Sequence, residues 1–449
     1  MKRAGYYWLL VTLGGGLLIG GCSKHQSAHS SLDTETIAQL KRFVAEKQAQ
    51  VEASTNDAVP GFAPFFAAAK TGDWRAVSNI FNSFRNDAGQ LGTEWQPVIE
   101  VWGAFDAFAA GDAKYSAAFG RDIIASIPPG SIYFGGTDPG RFIVTAMCRS
   151  QVAADPFFVL TQDALVDKTY LDYLRQMYGD KIYLPNYADA SRCFNEYTND
   201  LQMRARKNQL KPGEKFHLDA HGRIQISGRV CVMEINGRLA KTIFDKNPQP
   251  EFYLEESSSL DWMYPQLEPH GLIFKLDRQP MTTLSDDLVQ SDHDYWAKYI
   301  QPMIGDWLHD DTPIADVAAF ADKIFGRRDF SGFNGDRRFI RNAYARKMFS
   351  KLRSSIAGLY AWRVNHAADA ADKEHMAKAA DLAFRQAWAL CPYSPEAVFR
   401  YVNFLMEQER VADALLVAQT AAKLPAMAGR DRAEFRSLVE RIETYHEQK

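Results

Sequence analysis

The chain has 449 residues, of which 46% are hydrophobic, 12% aromatic and 24% charged. That balance suits a globular protein of two or three domains and excludes a mostly disordered, collagen-like or polytopic membrane chain. Fifty-two Lys and Arg stand against 55 Asp and Glu, a net charge of -3, so no cationic excess is available to neutralise phosphates and nucleic acid is excluded as a partner.

Lys2 and Arg3 precede an uncharged apolar run from Tyr6 to Gly21. The run is shorter than the roughly 20 residues a spanning helix needs and has the length of a signal-peptide apolar region. It ends Leu18-Ile19-Gly20-Gly21-Cys22-Ser23. This resembles the cleavage box of bacterial lipoproteins, with Ile19 where Leu is commoner. The resemblance implies that the Cys22 thiol takes a diacylglyceryl group and opens the mature chain. It also implies a cell-envelope protein. Ser23 is not the Asp that retains such proteins at the inner membrane, which points to the periplasmic face of the outer membrane. An ordinary secretory signal with an incidental Cys22 is the alternative. Ser23 to Ser31 is polar and reads as a tether.

Ile37, Leu40, Val44 and Val51 recur at helical spacing over Leu32 to Glu52. Two helix pairs follow, Phe62 to Lys70 with Trp74 to Phe84, and Trp95 to Ala110 with Ala113 to Ile127. A small residue and Gly-Asp separate the partners in each pair. Pro128-Pro129-Gly130 ends this pattern. Ser131 to Phe134 then reads as a strand, Gly135 to Gly140 as a tight loop, and Arg141 to Gln151 as a helix. Phe157 to Leu160 is a second strand and Asp163 to Tyr178 a helix. Strands and helices alternating at this spacing predict a parallel sheet. Ser191 to Lys207 is a polar helix, His217 to Ile226 a hairpin, Gly228 to Lys246 a helix, Glu251 to Leu254 a strand and Leu272 to Leu276 a last strand. Beyond Asp286 the chain is helical again, over Asp292 to Leu308, Pro313 to Phe325 and Asp336 to Asn365.

Ala380, Phe384, Ala387 and Pro392 are spaced 4, 3 and 5. This resembles the second half of the tetratricopeptide repeat, A-x3-F-x2-A before a Pro. Ala414, Ala418, Ala421 and Pro425 follow 34 residues on, without an aromatic at 418. The resemblance covers about 355 to 445 and implies a concave helical surface that binds other proteins, with Tyr360, Trp362, Phe384, Phe399 and Tyr401 as contact residues. A second resemblance rests on Ile132-Tyr133-Phe134-Gly135-Gly136-Thr137-Asp138-Pro139-Gly140-Arg141-Phe142, on Asp155 to Gln162, on Tyr170 to Leu174, and on Leu267 to Leu276. These segments are similar to the soluble tail of bacterial multi-spanning protein O-mannosyltransferase-like proteins. Those enzymes keep catalysis in a transmembrane domain, and this chain has no apolar run of that kind after residue 21, so glycosyl transfer is not carried over.

The glycine loop is the strongest chemical candidate. Gly135, Gly136, Thr137, Asp138 and Gly140 lie between a strand and a helix, where backbone N–H groups can approach a ligand. Asp138 meets a sugar hydroxyl or a cation on one reading, and on the other it simply caps the helix before Pro139. Asp292-His293-Asp294 and His309-Asp310-Asp311 offer metal-type ligands without helical metal spacing, so no metal is expected. Glu255-Glu256 needs a spatial partner that the sequence does not identify. Arg327 to Asn334 with Arg337, Arg338 and Arg341 is basic and aromatic, either a solvated face or a contact for an anionic lipid, glycan or acidic partner. Cys148, Cys193, Cys231 and Cys391 are widely spaced among apolar residues; buried thiols and disulfides both remain open.

The expected fold is mixed: mostly α-helical, with tetratricopeptide-like helical hairpins flanking a central α/β domain whose sheet is partly parallel. The expected boundaries are 1–21 signal peptide, 22–60 tether and first helix, 61–127 hairpins, 128–280 α/β domain, 281–354 connector and 355–449 repeats. The function this implies is a lipid-anchored adaptor rather than an enzyme. It is held at the membrane by Cys22, binds protein partners through its repeats and needs no cofactor. The alternative is a glycan- or sugar-nucleotide-related α/β domain built on the 135–140 loop.

Overall fold

The computed structural model describes residues 33–54, 61–85, 92–136, 138–211, 213–219, 224–256, 261–425 and 429–448. The segment carrying Cys22 lies outside them. Five helices open the described chain: α1 (Thr34–Ala53), α2 (Ala63–Thr71), α3 (Trp74–Arg85), α4 (Trp95–Ala109) and α5 (Ala113–Ser126). Their starts follow from local chemistry. Asp33 accepts a hydrogen bond from Thr36 N at 2.7 Å and Asp112 accepts one from Lys114 N at 3.1 Å, each satisfying an otherwise orphaned N–H of a first turn. Gly72 ends α2 with φ +74°, a left-handed conformation that glycine adopts without strain.

The central sheet is built from β1 (Ile132–Gly135), β2 (Phe158–Thr161), β5 (Phe252–Leu254), β6 (Leu267–His270) and β7 (Ile273–Leu276), in the order β2-β1-β5-β7-β6. β1 is parallel to both β2 and β5, while β7 is antiparallel to β5 and β6. β3 (Lys215–Leu218) and β4 (Ile224–Ser227) form a separate antiparallel ribbon. The connections are α6 (Asp138–Met147) between β1 and β2, then α7 (Lys168–Tyr178), α8 (Tyr187–Arg206) and α9 (Arg229–Lys246) before β5. The chain thus leaves β1 to one side and returns on the other, which puts a topological switch between β1 and β5. β2 is an edge strand, and α7 covers it. Val159 N and Thr161 N donate to the hydroxyls of Tyr178 (3.2 Å) and Tyr170 (2.6 Å), and Tyr178 donates back to Val159 O. Two tyrosines thereby close an edge that would otherwise template further pairing.

Eight helices and one short π turn complete the described residues: α10 (Asp286–Ile304), α11 (Ile314–Ala321) running into the π turn Asp322–Gly326, α12 (Arg337–Arg341), α13 (Ala343–Asn365), α14 (Ala370–Leu390), α15 (Pro395–Glu407), α16 (Val411–Lys423) and α17 (Gly429–Gln448). From α13 onward each helix packs on the next, and α13 also reaches α15. Three arginines tie neighbouring segments together through backbone carbonyls, one in the sheet region and two from the helices that follow it. Arg278 donates to Phe244 O and Pro250 O (2.6 and 2.8 Å), Arg363 to Met281 O and Pro265 O (2.6 and 3.1 Å), and Arg385 to Thr312 O and Asp310 O (2.5 and 2.9 Å). A guanidinium's five donors suit such multi-carbonyl sites. One continuous apolar core runs from the end of α4 through the sheet to α17, and a second, smaller one gathers α1 to α4. The 280 and 355 boundaries expected from sequence therefore fall inside a shared core.

One local expectation is corrected and one strand is added. The 135–140 segment is not a six-residue loop: α6 already begins at Asp138, because Pro139 has its φ pre-set for a first turn. Ahead of the strand expected over Leu272 to Leu276 lies a further one, β6, which carries Pro269 and His270 and pairs with β7 across Gly271 at φ +60°. β6 is the sheet's outer strand, where proline's missing N–H is tolerated.

Candidate functional site

The carboxyl ends of β1, β2 and β5 bring the glycine segment, Gln162 and Glu255-Glu256 to one edge. Gly136 N donates to Glu255 Oε2 at 2.7 Å. Glu255 also lies so close to Gly140 that a Cβ there would overlap its carboxylate. A helix start of this kind attracts anions, and here the chain's own buried carboxylate takes the place a phosphate would take. Glu256 pairs with Lys351 of α13 at 2.9 Å. Burial presses the Lys351 ammonium down, but Glu256 and Glu255 outweigh it and hold it above its usual range. Tyr133 donates to Gly140 O at 3.4 Å, and burial together with the nearby glutamates keeps its hydroxyl protonated. Gln162, 0% exposed at the end of β2, has neither amide atom partnered.

Of the five glycine-segment candidates, Gly135 is the last residue of β1, Gly136 bonds Glu255, and Gly140 packs on it. Thr137 and the Asp138 side chain lie outside the described residues. Lys351 is the spatial partner of Glu256 that sequence reasoning missed. No local pattern flags it, because it arrives from a helix 95 positions away. Gln162 was missed because nothing in its surroundings sets it apart.

The repeat candidates need correction. Tyr360, Phe384 and Tyr401 are fully buried, so they cannot present a binding surface. Phe384 stacks on Tyr401 at 5.4 Å, and Tyr360 donates to Asp292 at 2.8 Å. Trp362 is half-buried between Tyr264 and His366, and half-buried Phe399 packs on Phe435 of α17. These five positions were expected as contact residues for a partner, and the structure instead places them in aromatic packing. The basic stretch is largely engaged internally: Arg327 pairs with Asp322 (2.8 Å), Arg338 with Asp112 (2.7 Å), and Arg337 lies over the Phe330 ring. All four described cysteines are free, buried thiols.

Two buried ion pairs lie in the helical regions. Lys47 Nζ meets Glu100 Oε2 at 2.6 Å, both fully buried. Tyr173 accepts from Lys47 and donates to Glu100, each at 2.6 Å. Gln151 accepts from Lys47 and donates to the other Glu100 oxygen at 3.4 Å. Burial pushes the Glu100 carboxyl up, but Lys47 and Arg141 outweigh it and hold it below its usual range. The second pair joins Arg353 Nη1 to Asp292 Oδ2 at 2.7 Å, with Arg353 Nε donating to Gln386 at 2.7 Å. Here Asp292 Oδ1 and Arg353 Nη2 have no partner. In front of this pair lies a cleft of about 360 Å³ between α10, the 305–312 segment and α14, lined in part by His293, Asp294, His309, Asp310 and Asp311. The two motifs that looked separate in sequence thus share one cleft. Among the described residues no three His, Cys, Asp or Glu side chains converge closely enough to hold a metal ion, and no described helix is long and apolar enough to cross a membrane.

No known protein family, curated protein or solved structure matches the chain.

Proposed function

We propose that this chain is a scaffold of the bacterial cell envelope, tethered by lipid on Cys22 at the periplasmic face of the outer membrane, and that it binds a protein partner through a tetratricopeptide-like stack, α13 to α17. The observation that carries the reading is the packing of these helices: each lies on its successor, with Phe384 stacked between hairpins against Tyr401 and Phe404. Stacked hairpins of this kind offer an extended outer surface on a shared core. The contact residues are then exposed positions such as Asn403 on α15 and Arg436 on α17, not the buried aromatics.

Point variants test this better than truncation, because a cut at Asn334 would open the core shared by α10 to α14. The variant pair Asn403→Arg and Arg436→Glu should remove partners crosslinked to the full chain in its native envelope while leaving its melting temperature unchanged. Cys22→Ser should shift the protein from the membrane to the soluble fraction. A partner set indifferent to the α15 and α17 variants would overturn the scaffold reading.

A second reading is favoured by Gln162 alone. Its fully buried amide presents no surface but lacks a partner, and a hydroxyl of a small polar ligand such as a sugar, entering at the carboxyl edge, would satisfy it. Gln162→Leu should then abolish glycan binding, and a stabilised variant with unchanged binding would dismiss this reading.

A further inference from the structure

The cleft between α10, the 305–312 segment and α14 has the size and lining of a ligand site that neither reading above uses. Small-ligand pockets hold about 300–1,000 Å³, combine apolar walls with a few convergent polar groups, and occur between the helices of bundles. This cleft, at about 360 Å³, falls within that range. Ala297, Ile300, Leu308 and Leu382 give it apolar walls. Asp294, Asp310 and Asp311 give it negative charge, and neither Lys nor Arg is among its lining residues.

A second observation is independent of that charge. His293 lines the cleft, and its Nε2 is buried without a hydrogen-bond partner. Burial, with the charge of Arg353 behind it, presses the imidazole below its usual range, so the ring is neutral at pH 7 and keeps one nitrogen as an acceptor. Gln386, only 4% exposed, is part of the same wall, its Oε1 held by Arg353. Arg353 also holds Asp292, which does not line the cleft and whose Oδ1 lacks a partner. An acceptor-rich, anionic cleft calls for a ligand rich in N–H donors, and apolar walls call for an alkyl stem.

We propose that this cleft binds an organic cation, an ammonium or guanidinium group on a short alkyl chain, with its head among Asp294, Asp311 and His293 and its stem against Ile300 and Leu382. A lysine or arginine side chain of another protein and a free amine share this chemistry. The proposal does not depend on the scaffold reading.

The test is calorimetric titration of the full chain with agmatine, with 1-butanol as the uncharged control and the blocked tripeptide Ala-Arg-Ala as the protein-side-chain arm. Agmatine or the tripeptide should bind with Kd between about 10 μM and 1 mM, and 1-butanol should not. Tighter binding of the tripeptide assigns the cation to a partner protein, and its exclusion assigns it to a free amine. Asp294 and Asp311 are exposed, so the double variant Asp294→Asn/Asp311→Asn should fold normally, as circular dichroism would verify, and weaken binding at least about tenfold. Asp316→Asn, an exposed acid on α11 outside the cleft, should change nothing. The proposal is overturned if neither cation binds, or if binding is indifferent to the double variant.

Discussion

The two ends of the molecule each bury an ion pair, and the pairs are finished differently. Lys47–Glu100 ties α1 to α4, and Tyr173 and Gln151 satisfy its remaining valences. Arg353–Asp292 ties α13 to α10 but leaves one oxygen and one nitrogen open, next to a polar cleft. Desolvating two charges is repaid only when the geometry is good and the leftover donors and acceptors are satisfied. The first pair meets that condition and acts as a staple. The second does not, and an incomplete buried network is tolerated where it serves something other than stability.

The largest expected effect tests the staple. Glu100→Leu leaves the Lys47 ammonium buried and alone, and should lower unfolding free energy by about 3–5 kcal/mol in urea denaturation of the full chain. Removing both charges, in Lys47→Met/Glu100→Leu, should recover part of that loss, because the Lys47 ammonium is gone while Arg141, 3.9 Å from Glu100, still loses its carboxylate. A double variant as unstable as the single one would mean that Lys47 contributes by packing rather than by charge.

Asp189 offers a third carboxylate for comparison, at the start of α8. Burial pushes its carboxyl up, but the Tyr183 hydroxyl, Asn186 N–H and Lys246 outweigh it and hold it down at about 2. A carboxyl at about 2 in the fold and near its usual 3.8 when unfolded gives its full stability above pH 4. That stability fades as pH falls through 2. Asp189→Asn should therefore cost about 2 kcal/mol at pH 7 and flatten the decline in stability between about pH 4 and pH 2.

Asp292→Asn, at the unfinished pair, should cost less than the staple, about 1–2 kcal/mol, because the remaining amide oxygen can still accept from Arg353 and Tyr360 and only the counter-charge is lost. It should also change agmatine affinity at the cleft, which Asp189→Asn should leave alone. If Asp292→Asn proves as damaging as Glu100→Leu, the contrast between the two pairs fails.

Much of this architecture was legible in the sequence. Turn signals such as Thr71-Gly72-Asp73 and Gly111-Asp112 fixed the first hairpins, since glycine and capping aspartate act locally. The alternation of Phe157 to Leu160 with its flanking helices gave the parallel strands. The antiparallel strand β6 escaped notice because Pro269 reads as a breaker, and only its edge position makes it permissible. The candidate sites were the least legible. Glu256 meets Lys351, and His293 meets His309, only through the tertiary fold, and periodicity carries no record of such encounters. The aromatics at 360, 384 and 401 illustrate the opposite limit: a repeat pattern marks residues that pack, and packing residues are the ones a partner cannot reach.

The central claim is that a protein partner docks on the outer face of α13 to α17. Hydrogen exchange on the full chain, with and without the partner crosslinked to it in the envelope, tests this most directly. The account predicts slowed exchange in α15 and α17, with the carboxyl edge around Gly136 and Gln162 unchanged. Protection confined to that edge, with α15 and α17 exchanging as in the free chain, would contradict it.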